Sequence, residues 1–156
     1  MPRAWRICKS RHAAHVSSGE GARLHGGRWT SAGLSVVYAS ESLSLSVLEV
    51  LAHVSADALA NYSWFEIEIP EKLVRGLDLG LLPAGWRAYP APQGLRVIGD
   101  EWIRSGASAV LKVPSAITVR EYNFLINPAH EGFGKIVFGG EEPLDIDARI
   151  LKGPAK

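Results

Sequence analysis

The sequence predicts a mixed α+β fold, rich in strands and built as a single domain. The clearest sign is the segment Trp64-Phe-Glu-Ile-Glu-Ile-Pro70, which alternates with the period of a half-buried strand, setting Phe65, Ile67 and Ile69 on one face and Glu66 and Glu68 on the other. Helical periods are few, and strands recur without the regular alternation that builds a doubly wound parallel sheet. A chain of 156 residues with 47% hydrophobic content can also bury one substantial core, and its length fits one domain of ordinary size.

In chain order, strands are expected over residues 5–8, 36–39, 64–70, 109–113, 124–127, 135–138 and 145–151. A helix is expected from Leu43, where Leu43, Val47, Val50, Leu51 and Val54 recur on one apolar face. A second is expected over 95–104, with Leu95, Ile98 and Trp102 on one face and a stop near Gly106. Residues 79–94, carrying Pro83, Gly85, Pro90, Pro92 and Gly94, read as a surface loop or lid.

In the first helix, Glu49 falls with Ser42, Ser46 and His53 in a narrow polar seam flanked by Leu45, Leu48 and Ala52. A solvated face usually carries several long charged side chains, and this one has two serines, one carboxylate and one histidine. Periodicity alone fits a cleft-lining seam and an exposed Ser-rich face equally well.

Net charge is +1, from 17 basic and 16 acidic residues, so there is no broad electrostatic footprint for nucleic acid or an anionic membrane. The amino terminus is locally basic through Arg3, Arg6, Lys9 and Arg11, but no apolar segment follows that would read as a signal or a membrane span. A cytoplasmic location is expected. Cys8 is the one cysteine, which excludes an internal disulfide framework.

Several short motifs carry candidate chemistry. Gly26-Gly27-Arg28-Trp29 allows a tight turn or a close approach to a ligand, and Arg28 could grip phosphate oxygens bidentately; equally, it could be a glycine turn whose arginine covers an indole, the commoner use. Tyr38 could stack on a planar ring, or simply pack. Ser115, after Val113-Pro114, is a small hydroxyl on stiffened backbone or the end of a strand. Asn123 and Asn127 point to one side at strand spacing, for a ligand or for the turn at Pro128. Dinucleotide-fingerprint, phosphate-loop and Gly-x-Ser-x-Gly motifs are missing. The five histidines include no HExxH, so no metal site is expected.

In order, Trp5-Arg6-Ile7, Gly26-Gly27-Arg28-Trp29, Val37-Tyr38, Leu48-Glu49, Val113-Pro114-Ser115 and Asn123-Phe-Leu-Ile-Asn127-Pro128 resemble the RES domain family, named for an Arg, a Glu and a Ser that match Arg28, Glu49 and Ser115. The resemblance runs from about residue 5 to residue 138 and covers the chain as one RES-like domain over 1–156. Thr30 departs from the pattern, where Asn often follows the Trp.

The resemblance implies a fold similar to ADP-ribosyltransferase toxins and the toxin role in a bacterial toxin–antitoxin pair, with NAD as substrate and no further cofactor. It implies a helical, Xre-like DNA-binding antitoxin that covers the active site, with no direct nucleic-acid or membrane partner for the toxin itself. Carried over, Glu49 would be the catalytic carboxylate, Arg28 would bind the NAD phosphates, Tyr38 would stack on the nicotinamide side, Ser115 would position the substrate and Arg6 would be a second phosphate contact. The expected activity is an NAD glycohydrolase. The alternatives are a mono-ADP-ribosyltransferase acting on a host protein and a non-catalytic module that binds a nucleotide or a protein partner.

Overall fold

A computed structural model describes residues 2–153. In chain order the elements are β1 (Arg3–Lys9), α1 (Glu20–His25), β2 (Val37–Ser40), α2 (Leu43–Leu51), β3 (Tyr62–Glu68), β4 (Val74–Gly76), α3 (Gln93–Ser105), β5 (Val110–Pro114), β6 (Tyr122–Ile126), β7 (Val137–Phe138), β8 (Glu142–Pro143) and α4 (Ala148–Lys152), joined by loops and short 3-10 turns. The strands form one sheet in the order β4-β5-β6-β2-β1-β3-β7, with β8 also on β3. β4 and β5 are parallel; the other pairs are antiparallel.

Both faces of the sheet are covered. One buries Ala4, Val37, Ala39, Ile67, Val110, Phe124 and Ile126 with Ile69, Ala109 and Ile136. Val74 from β4 and Phe138 from β7 pack on this same cluster. Because those strands stand at opposite ends of the order, the sheet must curl to bring them together. Each large side chain so enclosed contributes about 1.5–3 kcal/mol of apolar burial.

The other face carries two separate clusters. Helix α3 covers Leu111, Val113 and Leu125 with Leu95 and Trp102, and Trp29 and Val36 join them. Helix α2 lays Leu43, Val47, Val50 and Leu51 against Ile7, Leu59, Tyr62 and Leu144. Between the clusters the same sheet face presents Tyr38, Ser40 and Asn123, since Ser40 stands opposite Asn123 and Tyr38 opposite Leu125.

The sheet is split at this place. β1 runs beside β3 through seven consecutive pairs but meets β2 at one, Trp5 opposite Ser40. Separating strands expose backbone groups that must find other partners. The Arg6 Nη1 donates to the Tyr38 carbonyl (2.8 Å), and the Ser46 hydroxyl of α2 donates to the Trp5 carbonyl (2.9 Å).

Helix α3 fixes the loop that follows α1. A Cβ on Gly99 would lie 1.8 Å from the Trp29 carbonyl oxygen, so helix and loop meet backbone to backbone. The buried Asp100 then accepts from the Ser31 backbone N–H (2.8 Å) and hydroxyl (2.6 Å). Arg96 Nε donates to the Gly27 carbonyl (3.2 Å). Gly27 itself lies against Tyr38, where a Cβ would come within 2.5 Å of the phenol oxygen.

The α+β class, the two long helices and the strands around residues 5–8, 36–39, 64–70, 109–113 and 124–127 agree with expectation to within a few residues at their ends. The strand expected over 145–151 is instead α4. Leu144 and Ile146 alternate as a strand would, but the Asp147 carboxylate accepts from the Arg149 N–H and starts a helix there. The strand expected over 135–138 shrinks to β7, because His130 caps a 3-10 turn through Glu131–Lys135. β4 and α1 were not expected: three residues paired in parallel to β5 leave no period to read, and Gly19 and Gly21 mask the short helix. Residues 79–94 are largely irregular, apart from a 3-10 turn at Leu79–Leu81 and the first residues of α3.

Gly99→Ala should lower unfolding stability by at least about 2–3 kcal/mol in chemical denaturation, from overpacking against the Trp29 backbone. Gly21→Ala, on α1 with open space around it, should be neutral or stabilising by up to about 1 kcal/mol. Equal effects of the two would contradict the backbone contact.

Candidate active site

The split opens into a cleft of about 970 Å3 between the two outer clusters. That is the upper part of the roughly 300–1,000 Å3 range of ligand pockets. Its wall carries Arg6, Arg28, Arg87 and Arg96 against one carboxylate, Glu49. Four cationic side chains against one carboxylate leave the cleft net positive.

Glu49 reaches it from α2. Ser42 starts this helix by accepting from the Leu45 N–H (3.0 Å), and Ser46, one turn on, ties it to β1. Glu49 and His53 follow on the same seam, and both line the cleft. Two side chains donate to Glu49 Oε1: the Ser115 hydroxyl (2.8 Å) and Asn123 Nδ2 (2.7 Å). Asn123 is held in turn, its Oδ1 accepting from the Ser40 hydroxyl (2.7 Å).

Ser115 is wholly buried. Its oxygen accepts from the backbone N–H groups of Ile117 (3.0 Å) and Thr118 (3.2 Å). With both lone pairs engaged, its single proton goes to Glu49, so this hydroxyl acts on a ligand through the carboxylate.

Arg28 rises from the loop pinned by α3. Its Nη1 donates to the carbonyls of Trp86 (2.9 Å) and Ala88 (3.1 Å), leaving Nε and Nη2 for the cleft. Burial lowers its pKa and the Glu49 charge opposes that, so the guanidinium stays charged. Arg6 is more deeply set; burial lowers its pKa too, and its Nε has no hydrogen-bond partner among the described residues. Neither arginine forms a salt bridge among the described residues. A partly desolvated cation without a counter-ion is costly, and an anionic ligand would relieve that cost.

Tyr38 lines the cleft with its hydroxyl 2.6 Å from that of the buried Thr30. Burial raises its pKa above the ordinary value, and hydrogen bonds from Thr30 and the Trp29 backbone only partly offset this. It is therefore a neutral phenol near pH 7. Burial likewise pushes the Cys8 thiol up, away from the thiolate form. Among the described residues, no group of three or more His, Cys, Asp and Glu is placed to hold a metal ion.

Four residues singled out from the sequence, Glu49, Arg28, Tyr38 and Arg6, thus line one cleft, and Ser115 stands behind Glu49. Asn127 ties its own turn, accepting from the Ala129 N–H (3.0 Å), whereas Asn123 faces the site. Ser40, Arg87, Arg96 and Tyr89 were not singled out. Tyr89 sits on the 79–94 loop with its ring centroid 6.3 Å from that of His53, and nothing local in the sequence announces that pairing.

The chain therefore sets one carboxylate among several arginines in the opening of a split, strand-rich sheet. The chain belongs to the RES domain family, whose model matches residues 3–147. It is 40% identical over 152 residues to a protein named Toxin Res from Photorhabdus laumondii, spanning 95% of this chain and 96% of that protein. It is 39% identical over 132 residues to the Prs ADP-ribosylating toxin of a Sphingobium species, spanning 81% and 82%. A further Toxin Res, from Yersinia enterocolitica, is 38% identical over 130 residues, spanning 83% and 86%. Its fold is similar to a chain of the M. tuberculosis MbcT–MbcA toxin–antitoxin complex, with a TM-score of 0.69 at 20% identity, over 91% of this chain and 83% of that one. Its place is among the toxins of the family.

In alkaline spectrophotometric titration, the difference between wild type and Tyr38→Phe should show Tyr38 ionising above the ordinary tyrosine value of about 10. The sign follows from the raised pKa: stability from the neutral phenol is complete below pH 10 and is lost as pH climbs through the folded-state value. Ionisation of Tyr38 at or below pH 10 would contradict its burial.

Proposed function

We propose that this chain is the toxin of a bacterial toxin–antitoxin pair and that its cleft hydrolyses NAD at the nicotinamide–ribose bond. The observation that carries this reading is Glu49, fixed by Ser115 and Asn123 in a cleft whose arginines form no salt bridge among the described residues. Arg28 and Arg6 supply positive charge for the pyrophosphate, and the Tyr38 ring offers a surface for the nicotinamide end.

Nicotinamide is cationic in NAD and leaves as a neutral molecule, so a strong general acid is unnecessary. The C1′–N bond breaks with its electron pair moving to nicotinamide, and positive charge develops on the ribose. A carboxylate beside that sugar stabilises the charge and can orient a 2′-hydroxyl or the incoming water. Water adds to C1′ and loses a proton, giving ADP-ribose, nicotinamide and H+.

Transfer of ADP-ribose to a protein is the second reading, and the name of the Sphingobium relative is what favours it. Against it, many transferases that modify side chains resemble one another in a Glu or Gln two residues before the catalytic glutamate. Here that residue is Val47, which packs into the apolar cluster under α2.

The partner we propose is an Xre-like antitoxin seated over the cleft mouth, where Tyr89 (80% exposed) and Ile117 (38%) present apolar surface beside the charged wall. The solved relative of similar fold comes from a toxin–antitoxin complex, which agrees with such a partner. No helix among the described residues is long and apolar enough to cross a membrane. We place the protein in the cytoplasm, where its proposed substrate is found.

Antitoxin-free wild type should release nicotinamide and ADP-ribose from NAD in equal amounts, and folded Glu49→Gln should be slower by about 100- to 1000-fold. Nicotinamide release with the label kept on an added protein would establish transfer. Intact NAD after prolonged incubation with folded wild type would leave a binding module.

A further inference from the structure

We propose that Asn123 is a positioning residue for Glu49 and that Ser40 acts only by orienting the Asn123 amide. The proposal rests on the reading of Glu49 as the carboxylate beside the ribose, and it adds which of its oxygens does the work.

Both donors to Glu49 converge on Oε1. A carboxylate held at one oxygen by two donors from different strands has little freedom to rotate, and Oε2 is left to meet a ligand in the cleft. Ser115 follows Pro114 at the end of β5, and Asn123 lies on β6. These strands are neighbours, with Val113 opposite Asn123, so the clamp inherits the rigidity of the sheet.

An amide has a donor end and an acceptor end, and the wrong end against Glu49 would repel it. Glu49, which only accepts, takes the Nδ2 end, and Ser40 holds the amide in that orientation from its other end. The Ser40 hydroxyl, 4% exposed on β2, donates to Oδ1, which leaves the two Nδ2 protons free for Glu49. Ser40 stands opposite Asn123 in the register and opposite Trp5 across the one pair that joins β1 to β2. The chain Ser40–Asn123–Glu49 therefore links the closed point of the sheet to the carboxylate in its opening.

The test is steady-state kinetics on NAD with Asn123→Ala, Asn123→Asp, Ser40→Ala and Ser40→Ala/Asn123→Ala, each with its fold confirmed by circular dichroism, together with crystal structures of wild type and Asn123→Ala. Asn123→Ala should lower kcat about 10- to 100-fold, the scale of an ångström's misplacement of a reacting group, with KM within about threefold of wild type. Asn123→Asp keeps the shape and the bond from Ser40 but sets a second carboxylate against Glu49, and should lose at least as much kcat. Ser40→Ala should lose less, about threefold to tenfold, and should add nothing in the Asn123→Ala background, since a residue acting only through another is not additive with it. In crystals, Glu49 should hold one conformer in wild type and lose it in Asn123→Ala.

A wild-type kcat in Asn123→Ala, a further loss on adding Ser40→Ala to it, or an unmoved Glu49 in its crystal structure would overturn the proposal. Absence of NAD cleavage by folded wild type would overturn the reaction assigned to Glu49, and the crystal structures would still decide the clamp.

Discussion

Everything in this molecule that concerns a ligand depends on the sheet parting between β1 and β2. A continuous ladder there would satisfy its own backbone and leave a closed surface, with no need for side chains in the gap. Instead the strands touch at Trp5 and Ser40 alone, and side chains take over the exposed carbonyls. Arg6 answers the Tyr38 carbonyl, and Ser46 answers that of Trp5. The first brings a cation into the floor of the opening, and the second seats the helix that carries Glu49. Repairing the split and furnishing the site are thus one set of contacts.

The charges in the cleft are held on that frame by neutral partners. Arg28 is oriented by two carbonyls of the 79–94 loop, and Glu49 by a hydroxyl and an amide. Hydrogen bonds of this kind fix direction without neutralising charge, so the field of each group stays available to a ligand. Had Arg28 and Glu49 been tied into a close salt bridge, their charges would have been spent on each other. Helix α3 supports the arrangement from behind, since Gly99 and Asp100 fix the segment from which Arg28 projects.

Much of this was legible in the residues, for identifiable reasons. Strict alternation over 64–70 reflects burial on one side, and the structure buries Phe65, Ile67 and Ile69; on α2 the face expected from Leu43 is half-buried, and the fully buried positions are Leu45 and Ser46, the second bonded to β1. The polar seam of α2 was visible because two serines, a glutamate and a histidine are an odd solvent face, although periodicity could not tell a cleft from water. Ser115 and Asn123 could be named from their backbone settings, but their convergence on Glu49 depends on the β5–β6–β2 register, which no local pattern encodes. The strand expected over 145–151 is α4 because the side-chain cap at Asp147 outweighs the alternation of Leu144 and Ile146. The Gly26-Gly27 pair fits a tight turn or a close ligand approach equally in sequence, and in the fold the space at Gly27 is taken by the Tyr38 ring.

The measurement that bears most directly on the central claim is a crystal structure of Glu49→Gln soaked with NAD, a variant chosen to keep the fold while leaving the substrate intact. The account predicts the pyrophosphate on Arg28 and Arg6, the nicotinamide against Tyr38, and C1′ of the nicotinamide ribose beside residue 49. A dinucleotide bound with that ribose turned away from residue 49, or bound outside the split of the sheet, would contradict it.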